Sequence, residues 1–324
     1  MICPVCHAPP PHAGLPAHKD PFGGKTYLLY RCQGCGAAFC DPMENPGPAW
    51  YARAAAVWTP ARRPEVPAWR LEGLRRLKAE NPGPASLLEI GCSDGSFLLE
   101  ARKLGFEVYG VDFDAEATAR ARADGLSGVT TGFFEDFAAK SARKYDVIVF
   151  FQTLEHLTDP RRFLAEVRGL LAPGGHILFD IPDADRPMPG GSGLIDLPPH
   201  HLTRWSARTV KKFLADGGFD ITCLESMVTY RILRDAAGSS LAETLGGIKR
   251  ALSGGGAARG GQDAALPAAQ PATAASPSAA FRLFDLTYRC LLAPLAAPLF
   301  LAWLAVLRLG GRGFYIFCGA KARP

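Results

Sequence analysis

The chain has 324 residues, 48% of them apolar, and a formal net charge of +5. That length holds one large domain plus a small one, with enough apolar residues for a sizeable core. The mild charge speaks against a polybasic nucleic-acid binder: basic residues come only in short pairs such as Arg62-Arg63, Arg161-Arg162 and Lys211-Lys212, with no interleaved aromatic stripe.

Nine cysteines are present. No charged n-region and apolar core precede Cys3, so the expectation is a reducing, cytoplasmic setting in which thiols bind metal. Cys3-Pro-Val-Cys6 and Cys32-Gln-Gly-Cys35 are two C-x-x-C pairs. Each fits a tight turn that points two thiolates at one ion, and two such turns make a closed Cys₄ site. That set suits structural zinc and leaves no open position for catalysis. Gly36 follows the second turn, where a left-handed residue is often needed. Tyr27–Arg31 is the predicted strand leading into it, and His7 and Cys40 lie nearby as substitute ligands. The zinc-ribbon-like segment is set at residues 1–41.

Residues 42–85 form a connector rich in Pro, with Trp50, Tyr51, Trp58 and Trp69. Ala68–Ala79 carries Trp69, Leu71, Leu74 and Leu77 on roughly one face, which predicts a helix packed on the sheet.

Ser86–Asp112 reads as strand, tight turn, helix, strand. Leu87–Ile90 is a short apolar run, Gly91–Gly95 a turn of small residues, and Phe97, Leu98, Ala101 and Leu104 recur at helical spacing. Glu107–Val111 is a second buried strand, closed by Asp112. Such a βαβ unit lets backbone N–H groups and a helix N-terminus approach a ligand. A dinucleotide fingerprint wants Gly-x-Gly-x-x-Gly, but that register here gives Gly91, Ser93 and Ser96. An acidic residue followed by Gly-x-Gly-x-Gly fits better, with Glu89, Gly91, Ser93 and Gly95.

In that register the unit resembles motif I of the class I S-adenosylmethionine (SAM)-dependent methyltransferases. The resemblance implies that Glu89, Gly91, Ser93, Asp94 and Gly95 face the methionine part of SAM, that Asp112 takes the ribose hydroxyls, and that Phe113 lies beside it.

Downstream, Ala115–Asp124 is a predicted helix and Val129–Thr131 a short strand, followed by the turn Gly132–Asp136. In the family this turn flanks the adenine, so Phe133 and Phe134 are expected at the cofactor, with Glu135 and Asp136 as alternates. Tyr145–Phe151 is nearly all apolar, as a central parallel strand should be, and Phe151 and Gln152 at its end complete the expected cofactor site. Asp159 caps a helix over Pro160–Leu171 with Pro160 at its first position. Ala172–Gly175 is the predicted turn and His176–Ile181 the fifth strand. The stretch LEHLTDPRRFLAEVRGLLAPGGHILFDIP resembles motifs IV to VI of small-molecule methyltransferases.

Some relatives hold a divalent metal with Glu-x-x-Glu-His, but here the first acid is Gln152, so that set is broken. Glu155 and His156 are expected to hydrogen-bond locally and shape the pocket floor, with contact between His156 and substrate as the other reading. Pro182–Leu197 is a Gly/Pro-rich loop that leaves the sheet at its ligand-binding edge. It leads to Pro198-Pro199-His200-His201, which resembles the PPHH segment of bacterial relatives. His200, His201 and His156 are the catalytic candidates, since a neutral imidazole is a plausible proton acceptor. Ser206 caps the next helix, Phe219–Tyr230 is the sixth strand, and Phe314–Ala320 the antiparallel seventh.

The SAM-binding core thus spans 86–234 and returns at 313–324, with an insertion at 235–312. Within it, 253–280 is of low complexity and predicted disordered. The helical segment 281–308 includes an uncharged run at 290–307, of borderline length for a membrane helix. Because strand seven must return to the same sheet, an interfacial or packed helix is expected over a span, at the inner face of the membrane.

The expected fold is a doubly wound, mostly parallel seven-stranded α/β sheet with a small zinc ribbon. The ribbon resembles that of some bacterial sugar C-methyltransferases, which points to a sugar nucleotide or lipid-linked glycan among small-molecule acceptors. Two rivals are a non-catalytic scaffold with a vestigial SAM fold and a nicotinamide enzyme.

Overall fold

Leu87–Ile90, Val147–Phe151 and Ile177–Ile181 are buried along their whole length, and burial on both faces is the environment of central parallel strands. The computed structural model describes residues 1–47, 49–51, 53, 65–83, 85–186, 196–227 and 314–324. The expectations for Trp58, for much of the loop after strand five, and for the insertion with its 253–280 and 290–307 segments lie outside these residues. Among the described residues no helix is long and apolar enough to cross a membrane.

The large sheet contains β4 (Ala85–Ile90), β5 (Phe106–Asp112), β6 (Val129–Thr131), β7 (Tyr145–Phe151), β8 (Leu171–Pro182), β10 (Phe219–Met227) and β11 (Tyr315–Ala322). Its strand order is β10-β11-β8-β7-β4-β5-β6. The β4, β5, β6, β7 and β8 neighbours pair in parallel, whereas β11 runs antiparallel to both β8 and β10. This is the expected seven-stranded, doubly wound sheet, and β11 is its expected antiparallel strand.

The helices are α1 (Ala68–Glu80), α2 (Ser96–Lys103), α3 (Ala115–Ala123), α4 (Phe134–Lys140), α5 (Pro160–Leu170) and α6 (Ala207–Asp216). Their starts follow the expected chemistry. Asp159 accepts from Arg162 N–H with Pro160 in the first turn, and Ser206 accepts from Thr209 N–H. Asp114 does the same for α3, accepting from Glu116 and Ala117.

Two predicted turns turn out to be regular structure. Residues 134–136, read as part of a turn, open helix α4, with Glu135 and Asp136 in its first turn, where carboxylates favour the helix dipole. Ala172–Gly175 belongs to β8, because Leu171 already pairs with Tyr145. The register then slips before His176 meets Val147, and Gly174 at φ 73° absorbs the bulge.

A second sheet runs β1 (Ala13–Lys19), β2 (Thr26–Arg31), β3 (Ala38–Asp41) and β9 (Thr203–Arg204). Only β2 was legible in the sequence. The last member comes from the segment just after His200-His201, so the N-terminal unit is sewn into the main domain.

Helix α1 packs on the sheet as expected. Trp69 stacks on Tyr315 with ring centroids 6.2 Å apart. Gly73 sits so close that an added Cβ would come within 2.5 Å of the buried Phe317 ring. Gly73→Ala is therefore expected to destabilise by about 1–3 kcal/mol through overpacking, measured by urea unfolding.

Candidate active site

Three left-handed residues shape the turn after β4: Gly91 (φ 77°), Ser93 (φ 47°) and Gly95 (φ 73°). A serine at positive φ is strained and needs a compensating contact. It has one, since Ser93 N–H donates to Asp112 Oδ2 at 2.8 Å. Asp114 N–H donates to Asp112 Oδ1 at 2.9 Å. Asp112 thus ties the ends of β4 and β5 together, and each of its oxygens keeps a further lone pair. Asp94 Oδ1 accepts from Ser96 N–H and Oγ and orders the start of α2. The demand for glycine at 95 comes from packing: a Cβ there would lie 2.3 Å from Leu126.

Glu89, at the floor of this turn, is 5% exposed. Its Oε2 has no hydrogen-bond partner among the described residues. Burial drives its pKa well above the usual carboxylate range, against the pull of Arg70 and with a further push from Asp112 and Asp94.

Phe113 and Phe133 follow β5 and β6. They are 53% and 60% exposed and stack on each other at 5.9 Å with planes 15° apart. Phe134 departs from expectation, because its ring turns into the core against Phe163 at 5.0 Å, leaving only backbone at the surface of the turn. Phe151 is buried too, against Phe97 at 4.8 Å and beneath the Arg70 guanidinium at 4.3 Å.

Gln152 is the third non-glycine residue at positive φ (51°). Its N–H donates to Asp180 O and its Nε2 to Asp180 Oδ1. The Asp180 carboxylate also accepts from Arg70 Nε (2.7 Å), Arg70 Nη2 (3.0 Å) and Trp69 Nε1 (3.0 Å). Sequence reasoning missed Asp180, Arg70 and Trp69 as one set. A signal was present, a lone acid inside the apolar run of β8, but its partners are about 110 residues upstream.

The segment after Gln152 reaches the glycine turn: a Cβ on Gly91 would lie 3.4 Å from Thr153 Oγ1. The 3₁₀ turn Leu154–His156 follows, and there the three candidate histidines converge. Ring centroids are 4.7 Å apart for His156 and His200, 4.9 Å for His156 and His201, and 4.6 Å for the stacked pair His200 and His201. His156 Nδ1 lies 2.7 Å from His200 O. A carbonyl only accepts, so Nδ1 carries the proton and Nε2 the lone pair. His201 Nδ1 lies 3.4 Å from Asp196 Oδ1, and Arg186 also pairs with Asp196. Burial holds the pKa of His156 and of His201 below the usual imidazole value, so both are neutral near pH 7. Trp50 stacks on His200 and Tyr51 meets it edge-on. Glu155 differs from expectation: neither carboxylate oxygen has a hydrogen-bond partner among the described residues, and burial pushes its pKa up to about 8.

The four N-terminal cysteines also converge. Cys3 and Cys35 sulfurs are 3.8 Å apart, Cys6 and Cys32 sulfurs 3.6 Å. Tetrahedral zinc with bonds of about 2.3 Å sets sulfurs about 3.8 Å apart, so the donor set fits that ion. The knuckles are held to the main domain by Thr209 Oγ1, which donates to Cys35 O (3.1 Å), and by Arg208 Nη2, which donates to Gly34 O (3.3 Å).

A family model described as a methyltransferase domain matches residues 62–224. The chain belongs to that family. It carries a class I SAM-dependent methyltransferase domain, as the motif I resemblance implied, and the nicotinamide reading is set aside. Among curated relatives, the ubiquinone biosynthesis O-methyltransferase of Cronobacter sakazakii is 33% identical over 140 residues, which is 40% of this chain and 58% of that protein. The enzyme of the same name from Vibrio vulnificus is 33% identical over 107 residues, 32% of this chain and 46% of that one. The chain thus spans about half the length of the curated relatives it matches. A solved SAM-dependent methyltransferase from Archaeoglobus fulgidus aligns over 84% of this chain and 99% of its own at 16% identity, with a TM-score of 0.46. One from Mesorhizobium loti aligns over 77% and 96% at 18% identity, with a TM-score of 0.45.

The raised Glu89 pKa has a consequence for the stability of this methyltransferase. Below pH 4.5 the carboxyl is protonated folded and unfolded. Above it the unfolded chain ionises while the buried group resists, so stability falls as pH rises. Glu89→Gln removes that cost and is expected to stabilise the apo protein at pH 8, with no gain at pH 4. Urea unfolding at the two pH values checks this.

Proposed function

We propose that the protein transfers a methyl group from SAM to a hydroxyl of a small-molecule acceptor. The observation that carries this reading is the closeness of Gly91 to Thr153, whose Oγ1 would lie 3.4 Å from a Cβ added at position 91. It sets the motif I turn, with Asp112 beside it, against the segment that leads into the imidazole cluster.

Asp112 would take the ribose hydroxyls through the lone pairs that Ser93 and Asp114 leave open. Glu89, Gly91, Ser93, Asp94 and Gly95 would surround the methionine part, with the orphan Glu89 oxygen accepting from a donor of the ligand. Phe113 and Phe133 would flank the adenine, and Phe134 would contribute backbone alone. To admit a base between them, the two exposed rings must open from 5.9 Å to about 7 Å, two van der Waals separations. Phe151 and Gln152 would form the wall between cofactor and acceptor, with Gln152 held in its strained conformation by Asp180. When bound, SAM supplies an electrophilic sulfonium methyl. The chain's own part is to orient, to keep water out, and to hold the acceptor oxygen against His156, His200 and His201. Most of the rate would come from that orientation.

Oxygen is favoured as the nucleophile because the curated relatives are named as O-methyltransferases. The sugar-nucleotide and lipid-linked glycan acceptors expected from the ribbon gain no support from these relatives, so hydroxyl-bearing acceptors from ubiquinone biosynthesis come first in a screen. Structural zinc at Cys3, Cys6, Cys32 and Cys35 is supported by the sulfur spacing.

Calorimetric titration with S-adenosylhomocysteine, with NADH as control, tests the cofactor. Saturable binding of the homocysteine compound alone is expected. Asp112→Ala should weaken it by about 100-fold, near 3 kcal/mol, with an unchanged circular dichroism spectrum. Unchanged affinity would sink the assignment of Asp112. For the ribbon, Cys32→Ser is expected to lower bound zinc by about one ion per chain and to lower the melting temperature, because metal affinity is folding free energy. Metal analysis and thermal melts read both.

A further inference from the structure

We propose that His156, His200 and His201 form a second metal centre, a three-imidazole site for a divalent transition metal at the place where the acceptor is held. This rests on placing the acceptor at the imidazole cluster, and it uses a ligand set different from the broken Glu-x-x-Glu-His pattern.

Three observations carry it. The first is convergence: one ring nitrogen from each of the three histidines lies within 4.8 Å of the others. Tetrahedral zinc with bonds of about 2.1 Å sets imidazole nitrogens about 3.4 Å apart, so side-chain rotations that close the set by up to about 1.4 Å seat an ion.

The second is the outer shell. Metal-binding imidazoles characteristically anchor their other nitrogen on a carbonyl or carboxylate, which fixes the tautomer and turns the lone pair inward. His156 does this with His200 O at 2.7 Å, and His201 faces Asp196 Oδ1 at 3.4 Å. Both therefore present Nε2. Asp196 is itself fixed by Arg186. The His200 ring is set between Trp50 and His201.

The third is the charge balance around the cluster. Two of the three buried carboxylates nearby are paired, Asp180 with Arg70 and Asp196 with Arg186. Glu155, adjacent to His156, is 1% exposed, and both its oxygens lack partners among the described residues. Its backbone carbonyl accepts from Leu202 N–H at 2.8 Å, which places it beside the His200-His201 segment. A buried carboxyl without a hydrogen-bond partner is a group that a ligand bound beside it can satisfy. Three protein nitrogens leave a metal with an open position, which an acceptor hydroxyl oxygen can fill. Imidazole donors suit zinc, cobalt or nickel over magnesium or calcium.

The test uses the full chain, zinc-loaded and dialysed, with metal counted by mass spectrometry. About two zinc ions per chain are expected, one at the cysteines and one at the histidines. His156→Gln and His200→Gln should each hold about one, while His18→Gln, outside the cluster, keeps both. One zinc per chain in the wild type, or two in both cluster variants, overturns the proposal. Should the variants fail to fold, cobalt titration of the wild type decides. The second equivalent should show ligand-field absorption without a thiolate charge-transfer band, and its absence, or a second thiolate-type spectrum, overturns the proposal. S-adenosylhomocysteine binding, followed in parallel, reports on the methyltransferase reading separately. A wild type that binds S-adenosylhomocysteine but no second zinc refutes the metal centre alone.

Discussion

The Asp180 carboxylate is fully buried, and the chain around it is arranged to receive it. Four donor atoms of three residues reach it: Trp69 Nε1 and the Nε and Nη2 of Arg70 from α1, and the Gln152 amide from just after β7. A buried carboxylate is tolerable only when paired and hydrogen-bonded, and removing one partner of such a pair typically costs about 3–5 kcal/mol. The geometric effect matters as much as the energy. Asp180 fixes α1 over the carboxyl edge of the sheet, and it holds Gln152 at a backbone angle that glutamine otherwise avoids. The connector helix is therefore part of the site's frame.

Asp180 stands against two other buried carboxyls at the same edge. Glu89 and Glu155 are buried as deeply, yet one oxygen of the first and both of the second have no partner among the described residues. Folded proteins rarely leave such groups unsatisfied. The contrast separates two kinds of acid. Asp180 is satisfied within the fold and holds it together. The other two carry a cost in stability that a bound ligand can relieve, and they flank the two halves of the proposed reaction, Glu89 below the glycine turn and Glu155 beside the imidazoles.

The large sheet was readable in the sequence because its strands are buried on both faces and its turns are punctuated by Gly, Pro and capping Asp. Val129–Thr131 and Tyr145–Phe151 were placed to the residue. What was not readable depends on distant contacts. The strand start at Leu171 is fixed by pairing with Tyr145 across a bulge, and an Ala-Pro-Gly-Gly stretch signals only a turn. Strand β3 is short and β1 is largely exposed, and both gain their place from the ribbon sheet. In the site, single positions were visible as chemistry, but the inward turn of Phe134 and the engagement of Arg70 with Asp180 are decided by packing between segments far apart in the chain.

The N-terminal unit shows how such a long-range contact reaches the chemistry. Strand β3 pairs with β9 through Ala38 with Arg204 and Phe39 with Thr203. Two residues before β9 is His201, and Thr203 Oγ1 also donates to Leu154 O in the 3₁₀ turn that carries His156. The hydrogen bonds of β9 are therefore split, its backbone pairing with the cysteine-bearing sheet and its Thr203 side chain reaching the floor of the imidazole cluster. A segment of about 40 residues has too little core to be rigid alone, and the proposed ion on four thiolates would supply what the core lacks. Rigidity gained at the cysteines would then pass, through a two-residue strand, to the position of His200 and His201. On this argument the ribbon is a brace for the acceptor side of the site, and its sequence distance from the catalytic core conceals a separation of only a few residues in the fold.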